Sequence, residues 1–144
     1  MRRFLTYLLT FAITGSAVVL AEKSKTAEDL DKAMKKVGTT QQAINKAIQA
    51  MAYADAKKQL EIMKTTLTDA ENFWTLQKKD DAVKFSQETL VKMTALEKMV
   101  AEKAPDAAKV SAAYKEAVAS CAGCHRVYRG TDSNNQFIIK PGTI

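Results

Sequence analysis

Apolar residues recur at intervals of three and four along residues 26–129, which is the spacing of one buried face of an α-helix. The apolar positions of the first such segment are Leu30, Met34, Val37, Ile44, Ile48 and Met51. No stretch shows sustained alternation of apolar and polar residues with β-branched side chains, which is the pattern of a half-buried strand. The sequence therefore predicts an all-α domain.

Three further segments repeat the same spacing, and residues that favour helices dominate throughout: alanine, lysine, leucine, glutamate and glutamine. The apolar positions are Leu60, Met63, Leu67, Ala70 and Trp74 in the second segment, Val83, Leu90, Met93, Leu96 and Val100 in the third, and Val110, Tyr114, Val118, Cys121, His125 and Tyr128 in the fourth. We therefore expect four amphipathic helices.

Local signals place the ends of these helices. Residues 26–29 resemble a capping box with aspartate in place of glutamate, so the first helix is expected to start at Thr26. An Asp-Ala pair opens each of the others, near residues 55–56, 81–82 and 106–107, and Pro105 suits the first turn of the fourth. Gly130 provides a stop signal for that helix.

Short connections make consecutive helices antiparallel neighbours, which predicts an up-down-up-down four-helix bundle over residues 22–130. The first connection is the least defined, and a single long helix from 41 to 77 is the alternative. Gly38 is expected to bend or loosen the first helix. The remaining tail, 131–144, has a polar, turn-rich start and an apolar Phe137–Ile139 segment; it either folds back onto the bundle or stays mobile.

The N-terminus has the composition of an export signal. Arg2 and Arg3 precede an apolar run of 17 residues, Phe4–Leu20, and Ala21 follows. This predicts a signal peptide at 1–21, periplasmic localisation and no membrane association after cleavage. An uncleaved anchor is the alternative, because the run just reaches spanning length. Threonine, glycine and serine within the run dilute it, which favours cleavage.

The net charge of the chain indicates which class of partner to expect. The formal net charge of the whole chain is +6, and removal of Arg2 and Arg3 leaves 20 basic and 16 acidic residues. A mild positive charge suits solubility and an acidic protein partner. No concentrated basic stripe with interleaved aromatics is present, so we do not expect nucleic-acid binding.

The sequence Cys121-Ala-Gly-Cys124-His125 is the attachment signature of c-type haem. On a helix, positions i, i+3 and i+4 share one face, so two thiols and an imidazole meet one flat ligand. The motif predicts one covalent haem c near one end of the bundle, with His125 as the proximal iron ligand. A disulfide is the alternative use of the cysteines, but a loop this small gains little entropy from closure.

The sixth coordination position is open to methionine, lysine, an external ligand or nothing, because the chain has a single histidine. Met34 lies near the predicted haem end of the first helix and is the candidate ligand. Methionine at helical spacing is more often core filler than ligand. We interpret the remaining methionines of the bundle in that way: Met51, Met63, Met93 and Met99.

The same end of the bundle gathers large side chains, namely Leu30, Met34, Phe73, Trp74, Leu76, Val83, Phe85 and Tyr128. Phe73 and Trp74 either wall off a haem from water or are ordinary core residues. Arg129 follows His125 by one turn. It either pairs with a haem propionate or stabilises the helix C-terminus, and the two roles are compatible.

The motif at 121–129, with an aromatic residue three positions and a basic residue four positions after His125, resembles the cytochrome c′ and cytochrome c-556 family (class II c-type cytochromes). The segment Met34–Gly38 is similar to the part of helix one that supplies the distal residue, which implies a distal role for Met34. The resemblance also implies a homodimer through helices one and two. Two features depart from it: Leu30 stands where the family often has an arginine, and the tail is longer.

The resemblance leaves two functions open. Methionine ligation gives a six-coordinate iron suited to electron transfer with redox partner proteins, and it raises the potential. A non-ligating residue leaves a five-coordinate iron that binds small gases such as NO or CO. Thiol–disulfide exchange by Cys121 and Cys124 is a third possibility, but it needs a strand-containing redox fold. We see no base, nucleophile or substrate pocket beyond the haem, so we do not expect an enzyme.

Overall fold

The computed structural model describes residues 26–144, which form a mainly helical bundle ending in a small hairpin. The helices are α1 (Ala27–Gln49), α2 (Tyr53–Leu76), α3 (Asp80–Val100), α4 (Ala107–Ala119) and α5 (Cys121–Tyr128), followed by strands β1 (Arg129–Thr131) and β2 (Phe137–Ile139). The prediction of an all-α bundle is confirmed in its general form, a mainly helical fold. None of the helices within 26–144 is both long and apolar enough to cross a membrane. The predicted signal peptide, 1–21, lies outside the described residues.

The interior divides into two hydrophobic clusters. Each helix contacts the next one along the chain, and α1 also contacts α4. The larger cluster fills the middle of the bundle and comprises Val37, Ile44, Ile48, Ala56, Leu60, Met63, Leu67, Met93, Leu96, Val100, Val110, Tyr114 and Ala117. The second, here called the end cluster, comprises Leu30, Ala70, Phe73, Trp74, Ala82 and Tyr128, with Met34, Val83, Cys124 and Ile139 packed against it.

Side-chain caps fix two helix starts where the sequence predicts them. Thr26 and Asp29 form the reciprocal hydrogen bonds of a capping box before α1. Asp106 precedes α4, and its carboxylate accepts the backbone N–H groups of Ala108 and Lys109 at 3.0 and 3.1 Å. Helices α2 and α3 begin slightly before the predicted Asp-Ala pairs.

The turn between α1 and α2 shows that the single helix from 41 to 77 is wrong. Met51 has a positive φ of 54°. The Met51 N–H donates to Ile48 O, and the Ala52 N–H donates to Ala47 O. This is the Schellman arrangement that ends helices. Because it turns Met51 outwards, that side chain is 67 % exposed, and its prediction as core is wrong.

The other methionines interpreted as core residues behave as predicted. Met63 and Met93 are buried, and Met99 packs against the larger cluster. Gly38 does not interrupt α1, which continues without a break from Ala27 to Gln49.

The predicted fourth helix is divided at Ser120, and its second part ends just before Gly130, as predicted. The Ser120 hydroxyl donates to Ala117 O at 2.6 Å, and the Gly123 N–H donates to Ser120 O at 3.3 Å. The backbone bond of Gly123 thus reaches three residues back and not four, at the point where α4 and α5 are separate helices. Helix α5 then ends at Tyr128 with Arg129 as its capping residue, while Gly130 lies in β1.

The tail folds back as an antiparallel hairpin. Arg129 pairs with Ile139, Gly130 with Ile138, and Thr131 with Phe137. In the intervening turn the Asp132 carboxylate accepts the N–H groups of Asn134 and Gln136, each at 2.8 Å. Ile139 reaches the end cluster, so the hairpin is joined to the bundle.

Candidate functional site

The Cys121–His125 sequence, here called the attachment motif, lies on the short helix α5, which packs against α3. Cys121 and Cys124 are free and half-buried, and His125 is half-buried beside them. Gly123, between the cysteines, faces Phe85 of α3: a Cβ placed there would lie 2.9 Å from Phe85 Cε1. The glycine therefore allows a close approach of the two helices that any larger residue would obstruct.

The end cluster brings together side chains that the sequence assigns to one site. Phe73 and Trp74 meet edge to face with ring centroids 4.9 Å apart, and Trp74 lies 4.5 Å from the ring of Tyr128 at a tilt of 46°. Met34 packs against this cluster and also against the larger one. Cys124 contacts the same group. Residues from α1, α2, α3 and α5 thus converge at one end.

Two of the side chains expected at this end lie outside the cluster. Leu76 is half-exposed near the last turn of α2. Phe85 is half-buried and faces Gly123. Leu30, in contrast, is buried within the cluster, one turn before Met34 on α1.

A hydrogen bond from Tyr128 to Asp81 ties α5 to the start of α3. The Tyr128 hydroxyl donates to Asp81 Oδ1 at 2.5 Å. That bond lowers the pKa of Asp81 below its ordinary range. Burial, together with the hydrogen bond and the charge of Asp81, raises the pKa of Tyr128 to about 12. The pair therefore holds a charged carboxylate and a neutral phenol at physiological pH.

Both thiols are held in the protonated form. Burial raises the pKa of Cys121. Burial, followed by the charges of Cys121 and Asp81, raises the pKa of Cys124 to about 11. Redox-active cysteines have the opposite property, a depressed pKa that yields a reactive thiolate at neutral pH. The surroundings of these cysteines do not provide it.

His125 is kept neutral by its surroundings. Burial, and then the positive charge of Arg129, lowers the pKa of the imidazole. A neutral imidazole has a free nitrogen lone pair, which is the form that coordinates a metal. Within residues 26–144, no group of three or more His, Cys, Asp or Glu side chains is arranged to hold a bare metal ion.

Arg129 has a neighbour that the sequence analysis missed. Its guanidinium carbon lies 3.3 Å from the centroid of the Phe137 ring, a cation–π contact across the hairpin. Its position as the capping residue of α5 agrees with the predicted place at a helix C-terminus. The stacking on Phe137 depends on the register of the hairpin, and no local sequence signal indicated that register.

Buried hydroxyls beside the motif were also missed. Thr89 of α3 is 3 % exposed, and its Oγ1 lies 2.9 Å from Oγ of Ser120, the residue before Cys121. Ser86, one turn earlier on α3, is buried as well. Ala82, Ser86, Thr89 and Met93 recur at helical spacing. This spacing predicts the buried face of α3 if serine and threonine are counted among the residues that can be buried.

Comparison of the chain with protein-family models, with curated proteins and with solved structures gives no match.

Proposed function

We propose that this protein is a periplasmic c-type cytochrome that transfers electrons, with one haem attached to Cys121 and Cys124 and His125 as the proximal ligand. One observation carries the proposal. Cys124, on the same short helix as Cys121 and His125, packs against the aromatic end cluster that Met34 also contacts. The attachment motif thus adjoins the apolar, aromatic surroundings that a large planar ligand requires.

The residues present fit a covalent haem in their chemistry. Cys121 and Cys124 are free thiols that would hold a haem through thioethers, each formed by addition of S–H across a vinyl C=C bond, and the neutral imidazole of His125 would supply a nitrogen ligand. A disulfide between them would prevent that addition, and both cysteines are free. A haem held in this way supplies an iron that alternates between the ferrous and ferric states.

The chain's own residues would exclude water and keep the surroundings rigid. Phe73 is 1 % and Trp74 4 % exposed. An apolar shell controls solvent access and therefore the redox potential of a metal site. The hydrogen bond between Tyr128 and Asp81 holds α5 against α3, which limits reorganisation when the oxidation state changes.

Interhelical contacts support the up-down-up-down arrangement on which this site depends. Gln87 Nε2 donates to Glu71 Oε1 at 2.8 Å, and Lys64 contacts Glu97. Later residues of α3 thus meet earlier residues of α2, which indicates an antiparallel pair. With the helices in this order, the start of α1 lies at the same end as α5, and Met34 becomes the candidate distal ligand.

The alternative is a five-coordinate haem protein that binds NO or CO. Leu30 is buried in the end cluster one turn before Met34. An apolar group at that position gives the distal side no hydrogen-bond donor and no charge. Such surroundings suit a small neutral gas as well as a thioether ligand, and the two functions then differ in one bond to the iron.

An absorption spectrum of the purified protein, oxidised and reduced, with and without CO, separates these functions. For the oxidised protein we expect a low-spin spectrum with a methionine–iron charge-transfer band. For the reduced protein we expect a spectrum that CO does not change. The variant Met34→Ala should become high-spin and bind CO, whereas Met99→Ala, a half-buried methionine of the larger cluster, should not. A high-spin wild type that shifts with CO would favour the gas-binding function.

Attachment and export have their own tests. Cys121→Ala combined with Cys124→Ala should remove haem that survives denaturing electrophoresis, and covalent haem in that variant would overturn the proposal. The N-terminal sequence of the protein recovered from the periplasmic fraction should begin at Glu22. Recovery of the uncut chain in the membrane fraction would instead indicate a retained anchor.

A further inference from the structure

Helix α5 is held along its length by one face of α3. Three residues of α3 meet residues of the α4–α5 segment in reverse order: Asp81 with Tyr128, Phe85 with Gly123, and Thr89 with Ser120. The three residues of α3 are spaced by four, so they share one face of that helix. Hydrogen bonds at the two ends and close packing at Gly123 therefore fix where the attachment motif lies against α3.

Asp81 is the residue of this face that brings a full charge to the motif. Its carboxylate accepts the hydroxyl of Tyr128 at 2.5 Å. Tyr128 and Cys124 are four residues apart on α5 and share one face of it. Both are in contact with the end cluster, as is Ala82, the residue after Asp81. Burial, then the charges of Cys121 and Asp81, raises the pKa of Cys124 to about 11, in agreement with a carboxylate placed beside that thiol.

The carboxylate of Asp81 is a fixed negative charge at neutral pH. The hydrogen bond from Tyr128 lowers the pKa of Asp81 below its ordinary range. None of the ion pairs within residues 26–144 involves Asp81, and Lys79 acts on it only at longer range. Tyr128 is itself buried and packed on Trp74, so the phenol that holds the carboxylate is held in turn.

We infer that Asp81 lowers the redox potential of this protein: its carboxylate, held beside Cys124 by Tyr128, stabilises the oxidised form of a haem attached to that cysteine. The inference rests on the proposed function, because it requires a haem on α5. Oxidation transfers one electron from the iron to an external redox partner protein, so the oxidised site is more positive by one charge. A fixed negative charge nearby attracts the more positive state and lowers the potential.

The exposure of the carboxylate determines the size of the effect. Asp81 is exposed, and a charge in contact with water acts through a high dielectric constant. Removal of the charge should therefore change the ratio of reduced to oxidised protein, at a fixed applied potential, by about two- to threefold. The change should be smaller in about 1 M salt, where the Debye length is only about 3 Å.

The first test is a spectroelectrochemical titration of the purified, haem-loaded full chain. In Asp81→Asn the amide oxygen can still accept the Tyr128 hydroxyl, but the charge is gone. The ratio of reduced to oxidised protein should rise by about two- to threefold. Asp81→Glu keeps the charge and should keep that ratio within about 1.5-fold of the wild type. A purely structural role would make the longer glutamate the more disruptive of the two changes.

Asp80→Asn is the matched control. Asp80 and Asp81 both lie in the first turn of α3, and both are exposed. Each substitution therefore removes the same charge from the same helix N-terminus, with the same loss of interaction with the helix dipole. The Tyr128 hydroxyl donates to Asp81 and not to Asp80. Asp80→Asn should therefore change the ratio of reduced to oxidised protein by less than about 1.5-fold.

A second measurement needs no haem. In the full chain carrying Cys121→Ala and purified without haem, Cys124 is the single thiol. Its reaction rates with a cationic and an anionic methanethiosulfonate reagent, taken as a ratio, report the electrostatic potential at the sulfur. Asp81→Asn should lower this ratio by about two- to threefold, because a carboxylate attracts the cation and repels the anion. Asp80→Asn should leave it within about 1.5-fold.

Three results would overturn the inference and leave the proposed function intact. The ratio of reduced to oxidised protein could stay unchanged or fall in Asp81→Asn, it could rise equally in Asp80→Asn, or the methanethiosulfonate rates could fail to respond to Asp81→Asn. Protein without covalent haem would instead contradict the proposed function, and the inference would fall with it. The methanethiosulfonate rates would then still show whether the charge acts at Cys124, so the two failures are distinguishable.

Discussion

The indole of Trp74 and the phenol of Tyr128 lie with ring centroids 4.5 Å apart, so the end of α2 touches the helix that carries the attachment motif. Trp74 is also the single tryptophan of the chain. Its fluorescence therefore reports on one place, the end cluster beside Cys124.

This proximity predicts the emission of the haem-loaded protein. A haem on α5 would accept excitation energy from Trp74 over a short distance, so we expect folded protein to emit only a small fraction of the fluorescence of free tryptophan. Unfolding in guanidinium should restore the emission as Trp74 leaves the neighbourhood of the motif. The measurement is an emission spectrum across a denaturant titration.

The control is the Cys121→Ala, Cys124→Ala protein, which keeps the bundle but has no thiols for attachment. It should fluoresce strongly when folded. Equal emission from the wild type and this variant would show that no haem lies near Trp74.

The hydrogen bond between Tyr128 and Asp81 predicts a pH dependence of stability at alkaline pH. The pKa of Tyr128 rises from its ordinary 10.0 to about 12 in the folded protein. The unfolded chain therefore loses this proton first, and the contribution of Tyr128 is complete below pH 10 and lost as pH rises to about 12. Tyr128→Phe should remove this part of the decline in unfolding free energy, measured by urea titrations between pH 9 and pH 12.

Tyr114 is the reference for that experiment. Burial raises its pKa too, and its hydroxyl donates to Gln41 O at 3.0 Å. Tyr114→Phe should lower stability by about 1 kcal/mol at neutral pH and leave the contribution of Tyr128 in place. If Tyr128→Phe and wild type declined in parallel above pH 10, the pair would not act as described.

Gly123 is predicted to be intolerant of any side chain. Gly123→Ala places a methyl group 2.9 Å from Phe85 Cε1, so α5 or the ring must move. We expect destabilisation by about 1–3 kcal/mol, measured by chemical denaturation. Phe85→Leu should recover part of the loss by vacating the space.

Gly38 provides the matched control, because nothing lies within 4 Å of a Cβ added there. Gly38→Ala within α1 should stabilise the protein by about 0.5–1 kcal/mol, as expected for a helix interior. Similar effects at both glycines would mean that the contact between Gly123 and Phe85 does not constrain the packing of α5.

Two helix ends have left-handed residues that are not glycine, and both offer stabilising substitutions. Met51 has φ 54° and Lys78 φ 55°. Glycine adopts this conformation without steric cost, so Met51→Gly and Lys78→Gly should each raise the unfolding free energy by up to about 1 kcal/mol. Ala101 caps α3 at φ −87°, and Ala101→Gly should give no gain. A gain at all three positions would point to an effect other than backbone conformation.

The sequence predicts those elements whose signals are local. The capping box at Thr26 and the buried face of α2 follow from side-chain spacing and hydrogen-bonding chemistry, and the structure has them. The predicted place of Pro105 in the first turn of the fourth helix is wrong, because Asp106 caps α4 and Pro105 precedes that cap. The end of α1 has no such local signal, because Met51 is not a residue that normally ends a helix. Helix propensity alone cannot predict that a methionine adopts the left-handed backbone conformation.

The features that the sequence does not predict depend on contacts between segments distant in the chain. The stacking of Arg129 on Phe137 and the contact of Ile139 with the end cluster depend on hairpin register. Ser120, where the last helix is divided, also meets Thr89, a partner 31 residues away in sequence. Met34 and Cys124 both pack against the end cluster, in agreement with the prediction that they lie at the same end of the bundle.

The composition of the end cluster has a consequence for the order in which the chain folds. The cluster joins Leu30, near the start of the described chain, to Tyr128 and Ile139, near its end. Closing so long a loop costs conformational entropy, and only the contacts of the end cluster itself offset that cost. The α1–α2 pair can therefore form while synthesis continues, but this end must stay open until the final segment arrives. The cysteines on α5 would thus remain accessible until late in folding, in the interval when a large ligand still has room to enter.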